Sequence, residues 1–239
     1  MSSIKFLTPI ILLILTSPVF AQESALYQPD SVYKANKVKV RFWYSGAEKD
    51  KELTKTVYYN RQGKLIKFQL EPTEEGTQVS TYYLYDSSGR FISMVDTIRH
   101  ENKTSSPEVA HYDFVFDGHN LVKLTKYKPN GSVDYVTTFS NNRKTETLYH
   151  YKNEMLIESY TTEFPSKSEE RFYGWEKLGK RKSTWDYRFK YEYENGRVKS
   201  YVRYEGKKKI ESAKLSYNEK GLLIKIDKYN AEFYEYVYY

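Results

Sequence analysis

One short sequence motif recurs along this chain and constrains its fold more than any other feature. The motif is an aromatic residue, a spacer, a second aromatic, Asp or Asn, a turn containing Gly, and an aliphatic pair. Its clearest copy is YLYDSSGRFI, which runs from Tyr83 to Ile92. A motif repeated in this way builds a fold by repeating one structural unit, here a β-hairpin. Most of the sequence is therefore expected to specify architecture and not chemistry.

The turns within these copies have a common construction. Each places Gly where a positive backbone φ is needed, and Asp or Asn at the head of most turns can hydrogen-bond to the turn backbone. The five turns are Asn60–Gly63, Asp86–Gly89, Lys128–Gly131, Glu194–Gly196 and Asn218–Gly221. An aliphatic or aromatic residue starts each return strand, so the pattern predicts consecutive antiparallel hairpins.

Alternation with a period of two supports this prediction. In the segment after the first turn, Ile66, Phe68 and Leu70 are expected on one face, with Lys67 and Gln69 on the other. Similar runs predict strands at Val38–Tyr44, Thr56–Tyr59, Lys64–Leu70, Thr81–Tyr85, Tyr112–Phe116 and Arg188–Tyr193. The segment Ala47–Thr54 is either a short helical turn or a polar loop. We therefore expect an all-β protein, a repetitive antiparallel hairpin meander forming one long twisted sheet or an open barrel-like wrap.

The first residues are typical of a secretory signal. Lys5 precedes an apolar run from Phe6 to Phe20, and the small residue Ala21 then stands before polar residues. We expect residues 1–21 to be a signal peptide cleaved after Ala21, because the run is too short to span a membrane comfortably. Residues 22–239 are expected to form a single repeat-built domain, with a subdomain break considered near 164–170. The protein is thus expected in the periplasm or at the cell surface.

Composition narrows the classes further. The chain has no cysteine, which excludes disulfides within it and a lipid anchor on a Cys. Its 26 Tyr and 12 Phe suit surfaces that are partly buried and partly wet. The formal net charge is +7. Lys interleaved with Glu indicates solvated sheet faces, and the alternative is attraction to an anionic polymer such as nucleic acid or an acidic glycan. Export from the cell disfavours nucleic acid as that polymer.

The repeated motif also resembles the repeats of a known protein family. Tyr83–Phe91 is similar to the Tyr-Asp repeat of Rhs-type proteins, and Tyr58–Leu65 and Tyr217–Leu223 are similar with Asn in place of Asp. Tyr191–Val198 instead resembles the short hairpin repeats of MORN-like and YwqK-type families. The resemblance implies a β-hairpin tile, an exported or surface context, and repeats that are not themselves catalytic.

Motifs for catalysis are missing from the sequence. No Gly-x-Ser-x-Gly elbow, phosphate loop or zinc-ligand spacing is present. His111 and Asp113 are expected to share a strand face, but two ligands fall short of a metal site. Glu169 and Glu170 are adjacent, and adjacent strand residues face opposite ways, which is poor geometry for acid–base work. We expect no enzyme activity, no cofactor and no metal.

Aromatic side chains are the better binding candidates. We nominate Trp43, Trp175, Trp185 and Tyr236, which could stack on sugar rings or on the apolar patch of a partner. The alternative is that cross-strand aromatic pairs stabilise the sheet. The expected partner is an envelope protein or a glycan and not nucleic acid, and peripheral association with the outer membrane is compatible with the sequence.

The last strand raises a competing interpretation. Residues 232–239 end on an aromatic, as outer-membrane barrels do, whereas lysines such as Lys207 to Lys209 would be costly on a lipid face. Our leading hypothesis is an exported, non-catalytic binding or scaffold protein of the bacterial envelope. The alternatives are a small outer-membrane β-barrel and a secreted hydrolase that uses a carboxylate pair.

Overall fold

The computed structural model describes residues 28, 30–72, 76–89, 91–100, 108–118, 120–140, 145–153, 155–178 and 180–239. Among these described residues, one short helix, α1 (Asp30–Ala35), precedes sixteen strands. The strands are β1 (Val38–Ser45), β2 (Glu52–Tyr59), β3 (Leu65–Leu70), β4 (Thr77–Tyr85), β5 (Phe91–His100), β6 (Glu108–Asp117), β7 (Asn120–Tyr127), β8 (Val133–Ser140), β9 (Thr145–Lys152), β10 (Met155–Ser166), β11 (Glu169–Leu178), β12 (Arg181–Glu194), β13 (Arg197–Glu205), β14 (Lys208–Tyr217), β15 (Leu223–Asp227) and β16 (Glu232–Tyr238).

These strands form a closed antiparallel barrel in which each pairs with its sequence neighbours. Closure is made by β1 and β16, from Val38 opposite Tyr238 to Ser45 opposite Glu232. The all-β hairpin meander expected from the sequence is confirmed, but the sheet closes on itself where an open sheet or wrap was expected. Closing removes both free edges of the sheet, which would otherwise be open to edge-to-edge association.

The strand register separates an inner face from an outer face. The buried apolar side chains fall into two clusters, one along β1–β10 with Leu222 and one along β12–β16. Tyrosines are prominent in both, including Tyr83, Tyr135 and Tyr160 in the first and Tyr191 and Tyr201 in the second. The interior is thus lined by aromatic and aliphatic groups.

β-Bulges shift this alternation. The pairing of β2 with β3 skips one residue, so that Tyr58 lies opposite Lys67 and Tyr59 opposite Leu65. Ile66 is the extra residue and is exposed, whereas Leu65 is buried in the core. The expectation that Ile66 shares the buried face with Phe68 was therefore wrong, because a bulge next to a turn moves the register by one position.

The two chain ends of the barrel, Val38 and Tyr238, lie at the same end, which we call the proximal end; the opposite end is the distal end. Helix α1 packs there against the hairpin turns. A Cβ on Gly63 would lie 2.3 Å from the carbonyl oxygen of Asp30, so this turn needs Gly both for space and for its φ of +78°. Across the same end, the Gln28 amide donates to the carbonyl of Gly221 at 2.8 Å.

The strand segments expected from the sequence all fall within observed strands, except that β3 begins at Leu65 instead of Lys64. Residues 47–51 form a loop before β2 begins at Glu52, in agreement with the polar-loop alternative. Residues 164–170 form the end of β10, a short turn and the start of β11, and the barrel continues through them. The signal segment 1–21 lies outside the described residues. No described helix is long and apolar enough to cross a membrane.

Candidate functional site on the barrel faces

Tyrosines near strand ends bind the hairpin before them. The hydroxyl of Tyr85 donates to the carbonyl of Leu65 at 2.8 Å, and that of Tyr217 donates to the carbonyl of Val198 at 2.8 Å. Tyr236 makes the equivalent bond to the carbonyl of Leu223 at 2.6 Å. In each case the acceptor is the first or second residue of the preceding strand. The nominated residue Tyr236 therefore has its hydroxyl engaged in holding the barrel together.

Trp43 lies on the inner face of β1, against a buried cation. The ammonium of Lys55 is 2.9 Å from the centroid of the Trp43 ring, and the Tyr234 ring is 5.2 Å away on the other strand. Lys55 is only 6% exposed. Burial lowers the pKa of Lys55, and the nearby positive charge of Arg41 lowers it further. A protonated Lys55 gains from the Trp43 ring but loses its hydration on burial.

Arg41 extends this cationic pocket on the inner face. Its guanidinium donates to the hydroxyl of Tyr33 in α1 at 2.8 Å. It also lies within 6 Å of the ring centroids of Tyr33, Tyr59 and Tyr234. The short helix is thus tied to the barrel through a cation enclosed by aromatic rings.

Trp185 belongs to an inner aromatic wall formed by β11 and β12. The rings of Phe172 and Tyr187 are nearly coplanar in orientation, 4° apart with centroids at 6.5 Å, and Trp185 stacks on Phe172 at the same distance. Gly174 lies between Trp185 and Tyr160, and a Cβ there would be 2.4 Å from the carbonyl oxygen of Ser159. The Trp185 indole nitrogen is buried without a hydrogen-bond partner among the described residues.

A charged network crosses the inner face of β4–β8. Asp96, 6% exposed, accepts hydrogen bonds from Thr81 at 2.7 Å and from the hydroxyl of Tyr112 at 2.5 Å. The ammonium of Lys126 lies 2.8 Å from the same carboxylate. A buried carboxylate needs such compensation, since an unpaired charge in this environment is costly.

The network continues to His150 on β9. Its ring lies between two carboxylates, 3.4 Å from Asp134 and 3.3 Å from Glu158. Hydrogen bonds that the ring donates to Asp134 and Glu158 raise the pKa of His150 to about 9, so the ring is protonated at neutral pH. Burial opposes ionisation of Asp134, but the hydrogen bond from His150 and the positive charges of His150, Lys126 and Lys128 together hold the pKa of Asp134 below its usual value.

The adjacent carboxylates Glu169 and Glu170 do point to opposite faces. Glu169 is on the outer surface, 3.9 Å from Lys190. Glu170 is directed inward and accepts a hydrogen bond from Tyr191 at 2.7 Å; burial raises its pKa. His111 and Asp113 are both exposed on the outer face of β6, as their spacing predicted. Within the described residues, no group of three or more His, Asp or Glu is arranged to hold a metal ion.

Trp175 differs from the other nominated residues because it faces outward. It lies opposite Thr184 of β12 and is half-buried, with the ammonium of Lys182 4.7 Å from its ring centroid. Trp43 and Tyr236 both pack against the second core cluster, and Trp185 packs against the first. The structure therefore leaves Trp175 as the outward-facing aromatic of the four, and their roles in binding remain predictions.

Sequence reasoning missed the inner charged network. Asp96, Lys126, Asp134, His150 and Glu158 lie on five different strands, and no local motif connects them. Asp134 neighbours Tyr135, and strict alternation would place them on opposite faces. The pairing of β7 with β8 skips one residue here, so a bulge brings Asp134 towards His150. The one signal in the sequence for this network was the carboxylate of Asp134 within the aromatic-containing strand β8.

Comparison with known proteins adds little. No family model matches the chain, and no curated protein matches it. Among solved structures, the barrel is similar to a porin-like protein from Bacteroides uniformis. The likeness covers 84% of this chain and 98% of that one, at 11% sequence identity and a TM-score of 0.39, which is too low to support an argument about function.

Proposed function

We propose that this chain is an exported, non-catalytic binding or scaffold barrel that works in the aqueous part of the cell envelope. The observation that carries the proposal is the polarity of β12. Its inward residues Trp185, Tyr187, Phe189 and Tyr191 belong to or pack against the core clusters or stack on their members. Its outward residues are Asp186, Arg188, Lys190 and Glu192.

This polarity is the reverse of what a lipid-facing barrel needs. Strands of membrane barrels carry apolar residues outward, and an Arg or Lys at the bilayer midplane costs about 2–4 kcal/mol. Arg188 and Lys190 lie in the middle of a 14-residue strand, with Arg171 and Asp186 paired beside them at 2.8 Å. A bilayer around this sector would have to accept several such charges, whereas water accepts them at no cost.

A second candidate, an outer-membrane barrel, is favoured by the closed architecture. Antiparallel barrels with an even number of strands are characteristic of outer-membrane proteins, and this barrel has sixteen with both ends of the sheet at one end. On β1 and β16 the outer face also carries Phe42, Tyr44 and Phe233. This sector is compatible with contact to lipid, but the sector around β12 is not.

Fractionation of cells that express the full chain distinguishes the two. A water-facing barrel is released with the soluble envelope fraction and stays in solution after high-speed centrifugation without detergent. A membrane barrel sediments with the outer membrane, resists carbonate and urea, and needs detergent for extraction. A resident outer-membrane protein of the same cells serves as the control. Retention of the chain alongside that control would overturn the proposal in favour of the second candidate.

A further inference from the structure

Positive charge is concentrated in one sector of the barrel. Residues 169–228, which include β11–β15, contain 17 Lys or Arg and 10 Asp or Glu, a balance of +7, which equals the net charge of the whole chain. The remainder of the chain is therefore neutral on balance. A sector with a net positive charge of this size creates a potential that attracts anions.

Seven cations without an acidic partner among the described residues lie at two hairpins of this sector. We call them the basic arm, and its members are Lys177, Lys180, Arg181, Lys182, Lys207, Lys208 and Lys209. All seven are exposed, and none has an acidic group within ion-pair distance in the part of the chain that the structure describes. Some other lysines of the sector are paired: Lys199 lies 2.9 Å from Glu194, and Lys225 lies 3.6 Å from Asp227.

The arm projects from the distal end of the barrel. The pairing of β12 with β13 starts at Tyr187 opposite Glu205, and the amide of Gly206 reaches the carbonyl of Asp186. The segment 181–185 pairs with β11 alone. Glu205 lies opposite Tyr187 of β12 and opposite Lys208 of β14, so Lys208 is level with Tyr187. Lys182 lies five residues beyond Tyr187 along β12, roughly 16 Å at ~3.3 Å per residue.

We propose that the basic arm binds an acidic polysaccharide, a chain bearing carboxylate or phosphate groups. The inference rests on the proposed function, because the arm must face water. The cations of the arm are spread along its length and do not lie in one plane. A flat bilayer meeting the arm tip would leave Lys207 to Lys209 more than one Debye length (~8 Å) away, where they are screened. An extended polymer can follow the path and contact both groups.

Trp175 gives the arm a feature that suits sugars. Its ring faces outward beside Lys182, within the same hairpin. An aromatic face next to a cation can stack on a sugar ring while the cation meets an acidic substituent. The arm therefore combines recognition of charge with recognition of a ring.

The test measures binding of the purified full exported chain to polygalacturonate, with uncharged dextran as the blank. The triple variant Lys182→Gln, Lys208→Gln, Lys209→Gln removes three arm cations. Its matched control, Lys190→Gln, Lys199→Gln, Lys225→Gln, removes the same charge from paired lysines. We expect roughly a hundredfold loss of affinity in the arm variant, at about fivefold per lysine, and less than about tenfold in the control. Affinity of the wild type falls as salt rises.

Equal losses in the two variants would overturn the arm as the site. The ring is tested with Trp175→Ala, which should weaken binding to polygalacturonate but not to polyacrylate, a polyanion without sugar rings. Stronger binding to phosphatidylglycerol vesicles than to polygalacturonate would overturn the choice of a polysaccharide. A soluble chain that binds neither sugar polymer nor vesicles refutes this inference and leaves the proposed function standing, because fractionation alone decides that.

Discussion

The hydroxyl of Tyr85, the last residue of β4, donates a 2.8 Å hydrogen bond to the carbonyl of Leu65, the first residue of β3. The hairpin turn after β4 is thereby fastened to the turn after β2 at the proximal end. Tyr217 and Val198 repeat the relationship on β14 and β13. Tyr is needed because the ring fills the inner face while its hydroxyl reaches a backbone acceptor. This contact explains why the aromatic before the turn recurs in the sequence.

Replacing Tyr85 with Phe should reduce the free energy of unfolding by about 1–2 kcal/mol, because the Leu65 carbonyl loses its donor while the ring is kept. Urea unfolding measures this. The matched control is Tyr82→Phe on the outer face of the same strand, where Tyr82 is 38% exposed. We expect a change of less than about 0.5 kcal/mol for the control. Equal effects of the two changes would contradict the fastening role.

Gly174 should tolerate no side chain. A Cβ would lie 2.4 Å from the carbonyl oxygen of Ser159 and 2.8 Å from the Cα of Tyr160, so the backbone of β10 would have to move. Gly174→Ala is expected to cost about 1–3 kcal/mol in thermal or urea unfolding. Gly206→Ala is the comparison, because nothing lies within 4 Å of its Cβ and only its φ of +57° opposes the change. A smaller loss at Gly174 than at Gly206 would contradict the packing.

Lys55 is expected to lower the stability of the fold. Replacing it with Met keeps the contact with Trp43 and removes a buried charge, so Lys55→Met should stabilise the fold by about 1–3 kcal/mol near neutral pH. Since the pKa of Lys55 is lowered in the folded state, the unfolded chain binds the extra proton, and wild-type stability rises as pH increases towards the unfolded pKa of 10.5. The advantage of the variant should shrink over that range in unfolding measurements. A growing advantage would contradict the burial of this charge.

His150 should stabilise the barrel in its protonated form. Its folded pKa of about 9 exceeds the ordinary 6.5. The contribution is therefore complete below pH 6.5 and is lost as pH rises through about 9. Allowing for solvent screening, the effect is about 1–2 kcal/mol. Unfolding of the wild type and of His150→Gln, followed between pH 6 and pH 10, should show curves that converge with increasing pH; parallel curves would contradict the double ion pair.

The hairpin tile and its strands could be predicted because they depend on local rules. Gly at turns such as Gly63 and the alternation around Phe68 report on the nearest few residues. Closure of the barrel could not be predicted, because Val38 and Tyr238 meet only after sixteen strands have accumulated tilt and register. The bulges that expose Ile66 and turn Asp134 inward are also set by neighbouring strands and leave no local signature.

The aromatics predicted to bind a partner lie on different faces of the barrel, and their binding roles stay predictions. Trp43 and Trp185 are the largest side chains available, and the inner face uses both for packing. From the sequence alone, Trp175 and Trp185 look alike, since both follow strand alternation near a Gly. Their opposite directions follow from the register of β11 with β12, which no local pattern shows.

The central claim, a barrel with water on its charged outer face, is tested most directly by site-specific labelling. The chain contains no cysteine, so single substitutions give clean labelling sites. Arg188→Cys places a thiol on the outer face of β12, and Lys190→Cys, further along the same face, is the matched second site. The measurement is the emission and lipid quenching of an environment-sensitive maleimide on each variant, in native envelopes containing the full chain. We predict water-like emission at both sites and no quenching by spin-labelled lipid. Apolar emission with strong quenching at both sites would contradict the account and place the barrel in the membrane.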